Sequence, residues 1–299
     1  MRSYTTSSLA WLLNFRARNR QHELTRYCAE FNAVRDDRNH TKQQSSAILI
    51  LMKSTLSVII IVKNEEHDIR DCLESVAWVD EIVVLDSGSS DNTLSIAKEY
   101  TEKIYVSSDW QGFGVQKNRA LAYASCDWVL SLDADERASD GLRREIEEAI
   151  QSPSTFTYKL PRLSSYCGKF IRHSGWWPDH VARLFKRGEA SFSNDLVHER
   201  LVFQGDAVAL AAPLLHITYK DLDEVITKVN QYSTLGARNS YQKGKRGSLA
   251  SALAHGSWAF VRTYILRAGF LDGAEGLILA ISNAEATYYR YLKLMYLSK

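Results

Sequence analysis

The sequence predicts an α/β protein on a doubly wound, mostly parallel sheet, with a small antiparallel portion and C-terminal amphipathic helices. Two observations carry that expectation. From Leu56 to Ile150, short β-branched runs alternate with segments of helical periodicity, the pattern of strands joined by crossover helices. Three of those runs end in clusters of polar and acidic residues, as strands do where a parallel sheet meets its ligand.

Each element follows from its local pattern. Leu56 to Val62 is a continuous β-branched run suited to a strand buried on both faces. Ile69, Cys72, Leu73 and Val76 then fall at i, i+3, i+4 and i+7, an apolar helical stripe. Glu81 to Leu85 is the second buried strand, and the turn Asp86-Ser87-Gly88-Ser89-Ser90-Asp91 leads into a helix through Leu94, Ala97 and Tyr100. A strand at Lys103 to Val106, a helix at Val115 to Ala124 and a strand at Trp128 to Leu132 continue the alternation. After a helix carrying Leu142, Ile146, Ala149 and Ile150, the pattern shifts to Phe156 to Leu160, Val181 to Phe185 and Val208 to Leu215, which predict the antiparallel portion. Asp221 with Glu224 resembles a capping box, and Leu222, Val225, Ile226 and Val229 continue as an amphipathic helix.

The flanks read differently. Residues 1–51 scatter arginines, among them Arg16, Arg18, Arg20, Arg26, Arg35 and Arg38, among polar residues without sustained periodicity, so they read as a poorly structured extension rather than a secretory signal. The catalytic domain is expected at 52–243, and 244–299 as an apolar, aromatic and basic helical region. Of 299 residues, 45% are hydrophobic and 24% charged, enough for a sizeable core. A formal net charge of +2 gives no reason to expect a nucleic-acid partner. Cys28, Cys72, Cys126 and Cys167 are too dispersed for a zinc site or disulfide framework and read as reduced cytosolic thiols. The longest charge-free apolar run near the C-terminus, Leu249 to Val261, is too short to span a bilayer.

The chemistry is expected at the strand ends, in Lys63-Asn64-Glu65-Glu66, in Asp86-Ser87-Gly88-Ser89 and in Asp133-Ala134-Asp135-Glu136. Two carboxylates one residue apart, as in Asp133-Ala134-Asp135, can divide labour between a ribose hydroxyl and a divalent cation. Mg²⁺ or Mn²⁺ takes hard oxygen ligands and is usually held by one or two carboxylates plus substrate phosphates. A lone acidic residue after a strand is more often a helix cap, but three clusters at one sheet edge favour a site.

These clusters, with Gly112-Phe113-Gly114-Val115-Gln116-Lys117-Asn118 and Leu130-Ser131-Leu132 before the paired carboxylates, resemble glycosyltransferase family 2. Gly175-Trp176-Trp177-Pro178-Asp179, Arg183-Leu184-Phe185 and Val197-His198-Glu199 further resemble its lipopolysaccharide core branch, whose members act on inner-core heptose. The resemblance implies a GT-A fold and an inverting, metal-dependent transfer of a hexose from a UDP-sugar. It places Asn64, Glu65, Asp86, Lys117, Asn118 and Asp133 at the nucleotide, and Asp135, with His198 as a further candidate, at Mg²⁺ or Mn²⁺. Asp179 is the candidate general base, with Glu199 its rival. The implied acceptor is a lipid-linked saccharide, reached by a peripheral protein on the cytoplasmic face of the inner membrane and bound to its anionic surface. A polyprenyl phosphate or another surface glycan would serve the same donor motifs. A dinucleotide-binding oxidoreductase or plain nucleotide module is disfavoured, because Lys63-Asn64-Glu65-Glu66 stands where such a fold needs a glycine-rich turn.

Overall fold

The computed structural model describes residues 53–194 and 199–299. The expected extension at 1–51 and the candidate ligand His198 lie outside the described residues.

The first strand, β1 (Leu56–Val62), occupies the middle of a parallel set with β2 (Glu81–Asp86), β3 (Ile104–Val106) and β4 (Trp128–Asp133), in the order β3-β2-β1-β4. Its continuous β-branched run is what a strand covered on both faces requires. Val58, Ile60 and Val62 enter a core closed by α1 (Ile69–Ser75), α2 (Thr93–Ala97) and α4 (Asp140–Gln151). Ile59 enters the opposite core beside Ala120 of α3 (Phe113–Tyr123). Burying each such side chain is worth roughly 1.5–3 kcal/mol, so the alternation of β1 between two cores fixes both its register and the helices on each side. The sheet is doubly wound in this half, as the sequence predicts.

Beyond β4 the sheet changes character. β8 (Asp179–Lys186) pairs antiparallel with both β4 and β6 (Thr157–Tyr166), while β12 (Leu214–Tyr219) runs parallel to β6 and antiparallel to the short β5 (Glu136–Ala138). β7 (Lys169–Phe170) and β11 (Val208–Ala209) also pair with β6, and β9 (Ala190–Phe192) and β10 (Leu201–Phe203) form a separate antiparallel ribbon. The antiparallel character is thus carried by β8, inserted between strands of the opposite sense, by the short β5 and β7, and by the β9–β10 ribbon.

The chain ends in α5 (Leu222–Gln242), α6 (Leu249–Val261) and α7 (Gly273–Leu297), with a π-helical turn at Arg262–Leu266 and a 3₁₀ turn at Gly269–Asp272 between the last two. Asp221 caps α5 by accepting the Glu224 N–H at 2.8 Å, and Glu224 takes the Lys220 N–H rather than that of Asp221. Val225 and Leu279 join Tyr166 and Ile171 in a third small core. No helix among the described residues is long and apolar enough to cross a membrane.

Candidate functional site

Parallel pairing places three strand ends at one edge, because Val62 is the register partner of Asp86 and Ile61 that of Asp133. The loops leaving those strands lock onto one another. Asn64, with φ of 57°, donates its N–H to Ser89 Oγ at 2.9 Å and accepts the Ser90 N–H on Oδ1 at 2.8 Å. The buried Asp86 carboxylate accepts the N–H groups of Gly88 and Ser89, which organises the turn. Gly88 has φ of +93°, a conformation that favours glycine.

Lys117 projects from α3 and is only 3% exposed; its Nζ lies 2.9 Å from Asp133 Oδ1 and 2.9 Å from Glu199 Oε1. That approach depends on Gly114, since a Cβ there would meet the Ser193 carbonyl oxygen at 1.8 Å. Asn118, expected at the nucleotide, spends its amide on the β9 backbone, donating from Nδ2 to Phe192 O and accepting the Phe192 N–H, each at 2.8 Å. It anchors the wall that carries Phe192.

The other side of Asp133 meets Arg183 of β8, which also donates to Glu136 Oε1 at 2.8 Å. Burial alone would raise the Asp133 carboxyl, but Arg183 and then Lys117 outweigh it and hold it well below the usual carboxylate range. Burial pushes Glu136 upward, against Arg183. Arg183 keeps one buried atom, Nε, without a hydrogen-bond partner. Together Lys117, Asp133, Arg183, Arg162, Phe192 and Glu199 line a cleft of about 770 Å³.

Asp135 faces a different neighbour. Its Oδ2 lies 3.3 Å from Nε2 of His216 on β12, whose Nδ1 is 2.9 Å from Ser164 Oγ and 2.8 Å from Thr218 Oγ1. Those hydroxyls fix the ring so that Nε2 points at the carboxylate. Glu65 is close enough to feel Asp135, and burial first, then Asp135 and Asp68, push its carboxyl up to about 7. Asp179 opens β8 directly across from Arg162 of β6, and Arg162 donates to its Oδ2 from Nε at 3.0 Å and Nη2 at 2.6 Å. Trp176 packs against Tyr166 and Tyr219, and Trp177 lies under the Arg172 guanidinium, 5.6 Å from ring centre to charge.

The structure therefore gathers Asp133, Lys117 and Glu199 in one cleft and places Asp135 beside a histidine that the motifs did not indicate. It also adds Glu136 and Arg183, which stood in recognised motifs without an assigned role, and Arg162, which stood in none.

Comparison with known proteins agrees with the resemblance. The pattern of glycosyl transferase family 2 matches residues 57–199. The lipopolysaccharide core biosynthesis glycosyltransferase LpsC of Rhizobium meliloti is 30% identical, across 81% of this chain and 95% of its own length. A glycosyltransferase of Rickettsia typhi is 31% identical, across 81% of this chain and 87% of its own. Among solved structures, residues 1–349 of S. aureus TarS in complex with UDP-GlcNAc align over 82% of this chain and 92% of that one, at 16% identity and a TM-score of 0.44. Glucosyl-3-phosphoglycerate synthase of Mycobacterium tuberculosis with Mg²⁺ and UDP aligns over 41% and 48%, at 26% identity and a TM-score of 0.33. The α/β architecture is the expected GT-A fold, and the chain belongs to glycosyltransferase family 2.

Proposed function

We propose that the protein is an inverting hexosyltransferase that moves glucose from UDP-glucose to a heptose of the lipopolysaccharide inner core. The observation that carries this reading is the division of the paired carboxylates: Asp133 is held by Lys117 and Arg183, while Asp135 turns to His216. Likeness to LpsC across nearly all of that protein supports the choice of acceptor.

A divalent cation fits the second half of that division. Asp135 Oδ2 and His216 Nε2, 3.3 Å apart, would hold it. Hydroxyls behind the imidazole are the usual outer support of a metal-bound histidine. The described residues contain no group of three or more such ligands. When bound, Mg²⁺ or Mn²⁺ supplies positive charge to the departing diphosphate.

The chain's own groups do the rest. Asp133 meets the ribose side of the nucleotide from a carboxylate kept ionised by two cations. Arg183 Nε offers a buried donor to the same ligand. Asp179 accepts the acceptor proton on Oδ1 while Arg162 holds Oδ2, and the hydroxyl attacks the anomeric carbon as its bond to the diphosphate breaks. Docking is assigned to residues 244–299, whose exposed Trp258, Ile265, Leu266, Phe270 and Leu271 adjoin basic residues suited to an anionic bilayer on the cytoplasmic face of the inner membrane. The test is incubation with UDP-glucose, Mn²⁺ and heptose-terminated lipopolysaccharide. A gain of one hexose by mass supports the assignment, and transfer to polyprenyl phosphate with none to heptose contradicts it.

A further inference from the structure

A second cavity, of about 430 Å³, opens between the loop before β8, helices α5 and α7, and the π-helical turn. Three guanidinium groups line it: Arg262 and Arg267 from either end of that turn and Arg290 from α7, with Ser174, Trp176 and Thr287 between them. No acidic side chain lines it, and none of the three arginines forms an ion pair among the described residues. The neighbouring Asp272 is committed elsewhere, accepting the N–H groups of Arg172 and His173 at 3.1 and 3.0 Å and facing His173 Nδ1 at 3.0 Å. Glu275 is paired with Lys169 at 3.0 Å.

Two features show that the space for these arginines is built in. A Cβ at Gly175, whose φ is +80°, would meet Arg267 Nη1 at 2.3 Å, and one at Gly236 would meet Arg290 Cδ at 2.9 Å. Arg290 Nε is buried with no hydrogen-bond partner, a cost that native structures rarely leave standing. Like charges gathered without a counter-charge repel, so the cluster is completed by an anion.

We propose that this cavity is a binding site for a phosphomonoester group, distinct from the nucleotide cleft. Three guanidinium forks with adjacent hydroxyls match the three terminal oxygens of a phosphomonoester, whereas a carboxylate offers only two. Trp176 lines the cavity three residues before Asp179, so a phosphoryl group held here sits on the acceptor side of the molecule. The exposed Ile265, Leu266, Phe270 and Leu271 surround Arg267 in sequence, which suits a phosphate whose carrier is lipid-anchored. Assigning that phosphate to the acceptor rests on the transferase reading; binding of the phosphate does not.

The experiment uses the full chain saturated with UDP, so that the nucleotide cleft is filled. Inorganic phosphate is titrated while Trp fluorescence and thermal midpoint are followed, and flotation is measured on phosphatidylcholine vesicles with and without phosphatidic acid. Arg262→Gln and Arg267→Gln alter exposed side chains and leave the fold intact by circular dichroism; Arg290→Gln completes the set. The proposal expects saturable phosphate binding that weakens at least tenfold in Arg267→Gln and Arg290→Gln, with hydrolysis of UDP-glucose, assayed separately without added UDP, unchanged in Arg267→Gln. No response to free phosphate, with arginine-dependent flotation only on phosphatidic acid, keeps the site and makes a lipid headgroup its source. Binding of neither probe, or binding indifferent to all three substitutions, overturns it. Absent UDP-glucose hydrolysis with intact phosphate binding would count against the transferase reading alone.

Discussion

Asp133 and Asp135 stand on either side of the buried Ala134, and their neighbours differ. Asp133 is the hub of Lys117 and Arg183, and Asp135 is half-exposed beside His216. Asp135→Ala and His216→Ala are each expected to lower metal-dependent transfer by about 10²–10³-fold, the usual effect of losing a group that stabilises developing charge. Manganese titration by calorimetry should show the same weakening, with the thermal midpoint nearly unchanged in Asp135→Ala, whose side chain is 37% exposed. Retained activity in excess chelator would remove the cation from the mechanism. For the base, Asp179→Asn should lower kcat by roughly 10²–10⁴-fold while leaving the donor KM alone, the signature of a group that acts only in the transition state. Should Glu199→Gln produce that pattern instead, the roles exchange, and the Lys117 contact of Glu199 would have to open during turnover.

At the scale of elements, the parallel half was legible because its information is local. The β1 run, the Ile69, Cys72, Leu73 and Val76 stripe, and the polar clusters after β1, β2 and β4 each declare themselves within a few residues. Arg162 and His216 were not legible as site members, and Arg183 stood in a motif without a role, since they meet Asp133, Asp135 and Asp179 only through the pairing of β4, β6, β8 and β12 across long stretches of chain. Asn118 shows the converse: its place in a motif suggested a ligand contact, whereas its amide matches the backbone of β9. The opposite edge of the sheet is structural. There Glu81 at the start of β2 accepts from Lys103, Ser57 Oγ, Ser125 Oγ and the Ser125 N–H. Burial would raise its carboxyl, yet those donors bring it down to about 2. A folded value below the unfolded one contributes stability above about pH 4.5 that is lost as pH falls towards 2. Glu81→Gln should therefore destabilise the protein at pH 7, on the order of 2 kcal/mol, and flatten its urea stability between pH 4.5 and 2. An unchanged pH profile would show that the network contributes little.

Across the whole molecule the two halves of the sheet take different tasks. The parallel half presents the residues proposed to meet the nucleotide at its carboxyl edge, as open α/β sheets do, and the inserted β8 brings Arg183 to that edge and Asp179 to its border. The C-terminal helices then wall the side on which Trp176 and the arginine cavity lie. Binding and turnover of a panel of UDP-sugars, other nucleotide sugars and NAD or NADP, each with manganese and with chelator, tests the central claim most directly. The account predicts hydrolysis or transfer from a UDP-hexose that depends on manganese and is lost in Asp135→Ala. Binding of NAD or NADP alone, with no nucleotide sugar bound or cleaved under either condition, would contradict it.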